Sequence, residues 1–334
     1  MPSRTVFLST GMYVPERLVT NDELSALMDT SDEWIRTRTG IQERHWVRPE
    51  DGQWTSDLAL EATRAALARA SLAPTDLDCI VFATLSPEYM FPGSGVLLQA
   101  KLGVPDIPCL DVRNQCSGFL YGLSVADAWI RTGQYRRVLL VGAEVHSAGL
   151  DLTTRGRDLA VLFGDGAAAV VLGPGNDDRR GVLSTHLFAD GTQSKLLWCD
   201  LGGMSHYPRM TPEHIEQGLQ WPTMQGREVF KYATTRMPAA VQEALKTNGL
   251  TTADIKLLIP HQANLRISEM VQKQLGLRDD QVYNNIQRYG NTTAASIPLA
   301  LHEAVEAGRV GAGDIVVLTA FGAGLTWGAA VIRW

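Results

Sequence analysis

The chain has 334 residues, a net charge of -6, 45% hydrophobic residues and 20% charged ones. That length suits about two domains or one large two-part domain, and it can bury roughly three quarters of its unfolded surface without a covalent staple. The composition excludes a disordered or collagen-like chain, and the acidic balance argues against a nucleic-acid binder, so an acidic partner would have to find a local basic patch.

The four cysteines, Cys79, Cys109, Cys116 and Cys199, form no C-x-x-C pair and no Cys/His cluster of zinc spacing. No metal site is expected. The first fifteen residues hold no secretory apolar stretch, and no apolar run reaches the ~18 residues of a membrane span. A cytoplasmic protein with no membrane partner is expected.

In chain order, strands and helices alternate. Residues 56–70 are Ala-rich, with Leu58, Ala62, Ala65 and Ala66 on one helical stripe. The run CIVFA (79–83) is short and continuously apolar, as in a strand buried on both faces. Residues 117–131 place Phe119, Leu123, Ala126 and Ile130 on one helix face. Strand-like runs follow at 138–141 and 169–172. A segment at 195–225, rich in Gly, Pro, Met and Trp, is either a cover or a surface excursion. Residues 229–246 read as a helix, and 257–259 and 315–319 as strands.

An internal repeat organises these elements. LAPTDLDCIVFA (72–83) is echoed by LTTADIKLLIPH (250–261), and RRVLLVG (136–142) by GDIVVLTA (313–320). The offset is 177–178 residues, so two copies of one α/β unit build the chain. At 177, Cys116 projects onto Thr293, beside Asn291. Two equivalent turns would then face each other across a pseudo-twofold axis, at strand C-termini and helix N-termini, where α/β folds bind ligands.

The chemistry-bearing residues lie at such corners. Cys116 sits between an apolar run and a helix, where free amides and the helix dipole should lower a thiol pKa; the alternative is a buried structural cysteine. Cys79, inside a strand, reads as core. Cys109 and Cys199 have no catalytic context. His261 ends the strand-like LLIP, as a projecting functional residue or a core histidine. Asn291 either caps a helix or joins the Cys116 turn. The glycine turn at 320–328 could offer amides to an oxyanion. FGDGA (163–167) reads as a structural turn, and Glu144 and His146 as turn or helix-end residues.

The motifs DTSDEWIRTRTGIQERH (29–45), NQCSGF (114–119), FGDGA (163–167), PHQANLRI (260–267), GNTTAAS (290–296) and AFGAGLTWG (320–328) resemble the β-ketoacyl-[acyl-carrier-protein] synthase III family of the thiolase-like superfamily, in order and over nearly the whole chain. The resemblance implies a five-layered αβαβα fold of two duplicated α/β halves, taken as residues 1–175 and 176–334, and a homodimer. It implies a Cys116-His261-Asn291 triad and an oxyanion hole from the Cys116 and Ala323 amides. Trp34, Arg38, Arg155 and Asn264 would bind CoA. Phe91 would reach the partner subunit's acyl pocket. Lys231, Arg266 and Lys273 would face the acidic carrier protein.

The implied reaction is a decarboxylative Claisen condensation of an acyl-CoA starter, acetyl-CoA first, with malonyl-acyl-carrier protein. It initiates fatty acid synthesis through an acyl-Cys116 intermediate, with acyl-CoA as substrate and no cofactor. The alternative is a related acyltransferase of secondary metabolism, of alkylquinolone or polyketide type, with a longer or aromatic starter. Departures from the family pattern are Gly322-Ala323-Gly324 for three glycines, Asn114-Gln115 for small residues, and a long 195–225 segment. A second catalytic cysteine, as in non-decarboxylating thiolases, is missing. A non-catalytic dimer partner would lack Cys116.

Overall fold

The computed structural model describes residues 4–176 and 179–334. Two sheets carry the fold. The first holds β1 (Thr5–Tyr13), β2 (Cys79–Ala83), β3 (Cys109–Val112), β4 (Val138–Glu144) and β5 (Gly166–Pro174), in the order β1-β5-β4-β2-β3. The second holds β6 (Gly181–Ala189), β7 (Ile255–Pro260), β8 (Ile315–Gly322) and β9 (Thr326–Arg333), in the order β6-β9-β8-β7. The orders correspond strand for strand, apart from the extra β3. In each sheet a parallel pair (β2–β4, β7–β8) adjoins antiparallel neighbours.

The period-two alternation of the central strands supplies both faces of each sheet. Cys79 and Val81 of β2 and Val138 and Leu140 of β4 point into the middle layer, while Ile80, Phe82, Leu139 and Val141 point outward. The middle layer is made by α4 (Gly118–Arg131) and α7 (Ser296–Glu306); α1 (Asp32–Thr39), α2 (Thr55–Ala70) and α3 (Ser94–Leu102) precede α4, and α5 (Gly226–Thr247) and α6 (Leu265–Leu275) lie between α4 and α7. Phe119, Leu120 and Leu123 of α4 meet Ile297, Ala300 and Leu301 of α7 between the sheets. The small-residue stripe of α2, Leu58, Ala62 and Ala66, covers the outer face of the first sheet. Val241 and Ala244 of α5 and Val271 of α6 cover that of the second. The result is a five-layered αβαβα sandwich.

One short 3-10 turn precedes each central helix: Gln115–Ser117 before α4 and Thr293–Ala295 before α7. Each begins with a left-handed residue, Gln115 at φ +45° and Thr293 at φ +46°. This shared backbone signature fixes the local offset at 178. Thr293 therefore corresponds to Gln115, and the counterpart of Cys116 is Ala294, one residue beyond the position projected from the sequence. The two turns approach strand ends through glycine. A Cβ on Gly142 would stand 2.4 Å from the Ala294 carbonyl oxygen, and one on Gly322 would stand 2.8 Å from Cys116 Cβ.

Among the described residues, no helix is long and apolar enough to cross a membrane. The 195–225 segment holds a two-strand ribbon, Leu197–Trp198 with Thr223–Met224, and the short helix Pro212–Glu216. Its inner side contributes Leu197, Trp198, Leu201 and Met224 to a cavity wall, while Met204, Tyr207 and Met210 are exposed. Of its two readings, the segment does cover something at its base.

Candidate active site

A cavity of about 1100 Å³ opens at the C-terminal ends of the central strands and runs to the two turns. Cys116, His261, Asn291 and Ala323 all line it. Each reaches it for a local reason. Cys116 lies in the turn that starts α4. His261 directly follows β7, its amide bonded to the Thr319 carbonyl of β8 at 2.8 Å. Asn291 lies in the loop before α7, its amide donating to the Leu162 carbonyl at 2.7 Å and its own carbonyl accepting from Gly164 at 3.1 Å.

His261 is oriented by its neighbour. Ser296 Oγ stands 2.6 Å from Nδ1, and the Gln262 amide donates to that same oxygen at 3.4 Å. A hydroxyl that accepts there can donate to Nδ1, which leaves the hydrogen of the ring on Nε2. Nε2 is buried and has no protein partner. Burial, then the nearby His146, pushes the His261 pKa down to about 3, so the ring is neutral. Asn291 Oδ1 accepts the Thr293 amide at 2.9 Å, which fixes its amide plane and leaves Nδ2 as its donor.

Cys116 corrects the expectation of a thiol lowered by its helix. Burial, and secondarily the Glu144 carboxylate, pushes its pKa up to about 12. The Thr293 hydroxyl and the backbone amides of Cys116 and Ala323 act on the sulfur in the opposite sense. Desolvation of a thiolate outweighs one helix terminus here. Those two amides are the ones that the family resemblance implies for an oxyanion hole. Ala323 does not require glycine: it is not among the positive-φ residues, whereas Gly324 takes φ +134°.

Sequence reasoning did not bring two buried residues to this site. His146 is the N-cap of the 3-10 turn Ser147–Gly149, as a turn or helix-end reading has it, whereas Glu144 ends a strand. Glu144 ends β4 in full burial and accepts from Thr84 Oγ1, the amides of Leu85, Ser86 and Ala294, and Ser86 Oγ. Burial raises its carboxyl to about 7 against these donors. His146 lines the cavity, with Nε2 2.7 Å from Thr293 Oγ1 and its ring 4.7 Å from that of Phe163. Asp165 of FGDGA holds this loop by accepting the amides of Val47, His146 and Ser147. The rule that singled out His261, a polar residue just past an apolar strand, also applies to VLLVGAEVH and would have found both.

At the cavity mouth, α1 presents Trp34 and Arg38. Ser31 caps this helix by accepting the Trp34 amide, and Gly40 ends it at φ +78°. The Arg38 guanidinium lies 4.4 Å from the Trp34 ring centre. Asn264 joins the mouth as the N-cap of α6, donating to the Arg38 carbonyl at 2.9 Å. Arg155 does not line the cavity: its side chain, 58% exposed, is held by Asp151 at 2.6 Å. Arg157, likewise outside the cavity lining, stacks on Trp34 at 4.8 Å.

Lys231 on α5 and Lys273 on α6 are exposed, and Arg266 at the start of α6 lines the rim. Phe91 is 80% exposed and lies outside this chain's own cavity. Cys79 is core, its thiol pushed up to about 12 by burial. Cys199 lies on the cavity wall, facing the Leu201 carbonyl at 3.2 Å. Among the described residues, no group of three or more His, Cys, Asp or Glu is placed to hold a metal.

A cysteine at a helix N-terminus, sharing a cavity with a neutral histidine and an oriented asparagine at the seam of a duplicated αβαβα fold, defines a thiolase-like condensing acyltransferase. Two family models match: 3-oxoacyl-[acyl-carrier-protein (ACP)] synthase III over residues 110–191, and its C-terminal counterpart over residues 245–334. The β-ketoacyl-[acyl-carrier-protein] synthase III of Rhodospirillum centenum is 49% identical, covering all of both chains. The solved structure of the synthase III from Thermus thermophilus superposes with a TM-score of 0.90 at 43% identity, over 98% of this chain and 99% of that one. The priming β-ketosynthase of the R1128 polyketide pathway gives 0.88 at 33% identity, over 99% and 97%. The chain belongs to the β-ketoacyl-[acyl-carrier-protein] synthase III family.

Proposed function

We propose that the chain condenses an acyl-CoA starter, acetyl-CoA first among them, with malonyl-acyl-carrier protein to give a 3-oxoacyl-acyl-carrier protein, the first condensation of fatty acid synthesis. The observation that carries this reading is the unpartnered, neutral His261 Nε2 in the same cavity as the Cys116 sulfur. Cys116 attacks the starter thioester, forming acyl-Cys116, and CoA leaves as its thiol. Malonyl-carrier protein then loses CO2. His261 Nε2–H and Asn291 Nδ2–H donate to its thioester oxygen and stabilise the enolate without a metal. The carbanion attacks acyl-Cys116, whose oxyanion is held by the Cys116 and Ala323 amides, and the thiolate leaves. No cofactor enters this chemistry.

In this reading Trp34, Arg38 and Asn264 receive the CoA nucleotide, with Arg157 taking the part expected of Arg155. Lys231, Arg266 and Lys273 form a basic rim for the acidic carrier protein, supplying the patch that a net charge of -6 demands. The exposed Phe91 suits insertion into a second subunit of a cytoplasmic homodimer. A second reading, a longer or aromatic starter of a specialised pathway, draws on the breadth of the cavity and on its 195–225 wall.

Intact-protein mass spectrometry after exposure to acetyl-, branched, longer and aromatic acyl-CoAs, with peptide mapping, separates the readings. Acetyl on Cys116 supports initiation of fatty acid synthesis. Labelling by longer or aromatic donors alone moves the enzyme to a specialised pathway. With Cys116→Ala, the label should vanish while the melting temperature stays within a few degrees. A label elsewhere, or none, overturns the nucleophile assignment.

A further inference from the structure

Duplication gives the chain two copies of the amide pair assigned to the oxyanion. The offset of 178 that relates the two turns also relates the strands, since β2 pairs Cys79 with Val138 of β4 and β7 pairs Leu257 with Val316 of β8. Cys116 then corresponds to Ala294, Gly322 to Glu144 and Ala323 to Val145. In the first copy, Gly322 puts no side chain over the Cys116 and Ala323 amides, and all three residues line the cavity. In the second copy, the same strand position carries a glutamate.

That glutamate closes its own amide pair. The Ala294 amide donates to Glu144 Oε1 at 3.2 Å, and the Val145 amide donates to Ser86 Oγ at 2.9 Å. The Ser86 hydroxyl passes the contact on, donating to Glu144 Oε2 at 2.6 Å. Thr84 Oγ1 and the Leu85 and Ser86 amides complete the shell at 3.0 to 3.1 Å. Each of these groups supplies a hydrogen, so both carboxyl oxygens accept. The turn held in this way carries working parts. The Thr293 amide fixes Asn291 Oδ1 at 2.9 Å, and Ser296, the residue after the turn, stands 2.6 Å from His261 Nδ1. A Cβ on Gly142 would stand 2.4 Å from the Ala294 carbonyl oxygen, so β4 meets the turn at its carbonyl as well as its amide. A shift of Ala294 would carry Asn291 and Ser296 with it.

We propose that the Glu144 carboxylate is a built-in anion that fills the second copy of the oxyanion site, with Ser86 as its bridge, and that it positions Asn291 and His261 by locking the Thr293–Ala295 turn. Glu144 is a positioning residue: it acts through the turn and not on the substrate. One copy of the amide pair is thereby left for the reaction, and the other is spent on holding the donors. The filled site has the chemistry of a carboxylate pocket, so without its side chain it should take a small carboxylate from solution. Leu85, Ser86, Val145 and Thr293 around it line the cavity, which gives such an ion its path.

The role assigned to Glu144 rests on His261 and Asn291 acting as donors in decarboxylation, and the test separates the two. Melting temperature, self-acylation of Cys116 and release of CO2 from malonyl-carrier protein are measured on the full chain, with sodium formate and with sodium chloride at equal ionic strength. The assays run at about pH 8, above the value of about 7 to which burial raises this carboxyl. In Glu144→Gly, CO2 release should fall at least about tenfold and self-acylation less than about threefold, with a melting temperature several degrees lower. Formate should restore most of the CO2 release and raise the melting temperature, chloride should do neither, and wild type should respond to neither salt. In Glu144→Gln the amide fills the space but turns its own hydrogens toward donors, so CO2 release should fall and formate should not restore it. This variant decides the positioning role if Glu144→Gly does not fold. Undiminished CO2 release in Glu144→Gln, or equal losses in both half-reactions, overturns that role. A folded Glu144→Gly that ignores formate in both readouts overturns the filled site. Wild type that releases no CO2 overturns the decarboxylation reading instead, and the melting temperatures with formate still test the site.

Discussion

In our reading Cys116, His261 and Asn291 form a triad whose two donors, His261 and Asn291, are set by their neighbours. His261 keeps Nε2–H free because Ser296 occupies Nδ1, and Asn291 keeps Nδ2 because Thr293 occupies Oδ1. These donors matter most where a thioester oxygen gathers charge, in the decarboxylation half of the cycle. In our reading, His261→Ala and Asn291→Ala should each reduce release of CO2 from malonyl-carrier protein by about a hundredfold, while self-acylation falls by less than about tenfold. Single-turnover assays of the two halves check this, and equal losses in both halves would break the assignment. Cys116 and His261 could be singled out in the sequence because each follows an apolar run at a corner, and Asn291 because the repeat set it beside the turn matching that of Cys116. Thr293 was reached by the repeat, one residue out of register. Ser296 stood inside GNTTAAS without a visible role, because contact with Nδ1 comes from a different strand end. His146 and Glu144 had the visible signal, whereas the contact of Arg157 with Trp34 depends on the path of the loop.

Elements bring these residues together, and the sites of closest approach are the least forgiving. The end of β8 passes so near the nucleophile turn that a Cβ on Gly322 would stand 2.8 Å from Cys116 Cβ and 3.0 Å from its amide nitrogen. The Cys116 turn is pinned by α4 and has little freedom to yield. In our reading Gly322→Ala should therefore displace the Cys116 amide assigned to the oxyanion, cutting self-acylation at least tenfold and costing about 1–3 kcal/mol of stability. Gly191→Ala, where an added Cβ meets nothing within 4 Å, is the control and should change neither. Equal acylation in the two variants would show that the turn adapts. Sequence patterning found the central strands because they are continuously apolar between two buried layers, but it did not single out the strands Thr5–Tyr13, Cys109–Val112, Gly181–Ala189 and Thr326–Arg333. It could not decide the 195–225 segment, whose inner and outer sides carry similar Met and aromatic residues. Burial of Leu197, Trp198 and Met224 depends on what lies opposite, α5 and the cavity, and not on local pattern.

At the scale of the molecule, duplication places the buried ionisable groups at the seam between the halves, and this sets how stability responds to acid. His146 and His261, held neutral by burial, have pKa values near 3 against an ordinary 6.5. Between those values the unfolded chain binds more protons than the folded one, so this share of stability is present above pH 6.5 and is lost as pH falls below it. Glu144 works the other way. Its folded value of about 7 exceeds the ordinary 4.5, so the folded chain binds more protons between them, and its share falls as pH rises through that window. From pH 6.5 to 4.5 the two histidines outweigh the one carboxyl, and stability should drop by about 1.4 kcal/mol per unit from these three groups. Other carboxylates also titrate there, so the test is a difference. Urea unfolding of wild type and His146→Gln at pH 6.5 and pH 5 should show wild type losing about 2 kcal/mol more than the variant over that interval. Equal losses would mean that His146 takes up a proton without leaving its place beside Thr293, and that the seam tolerates a charge its burial argues against.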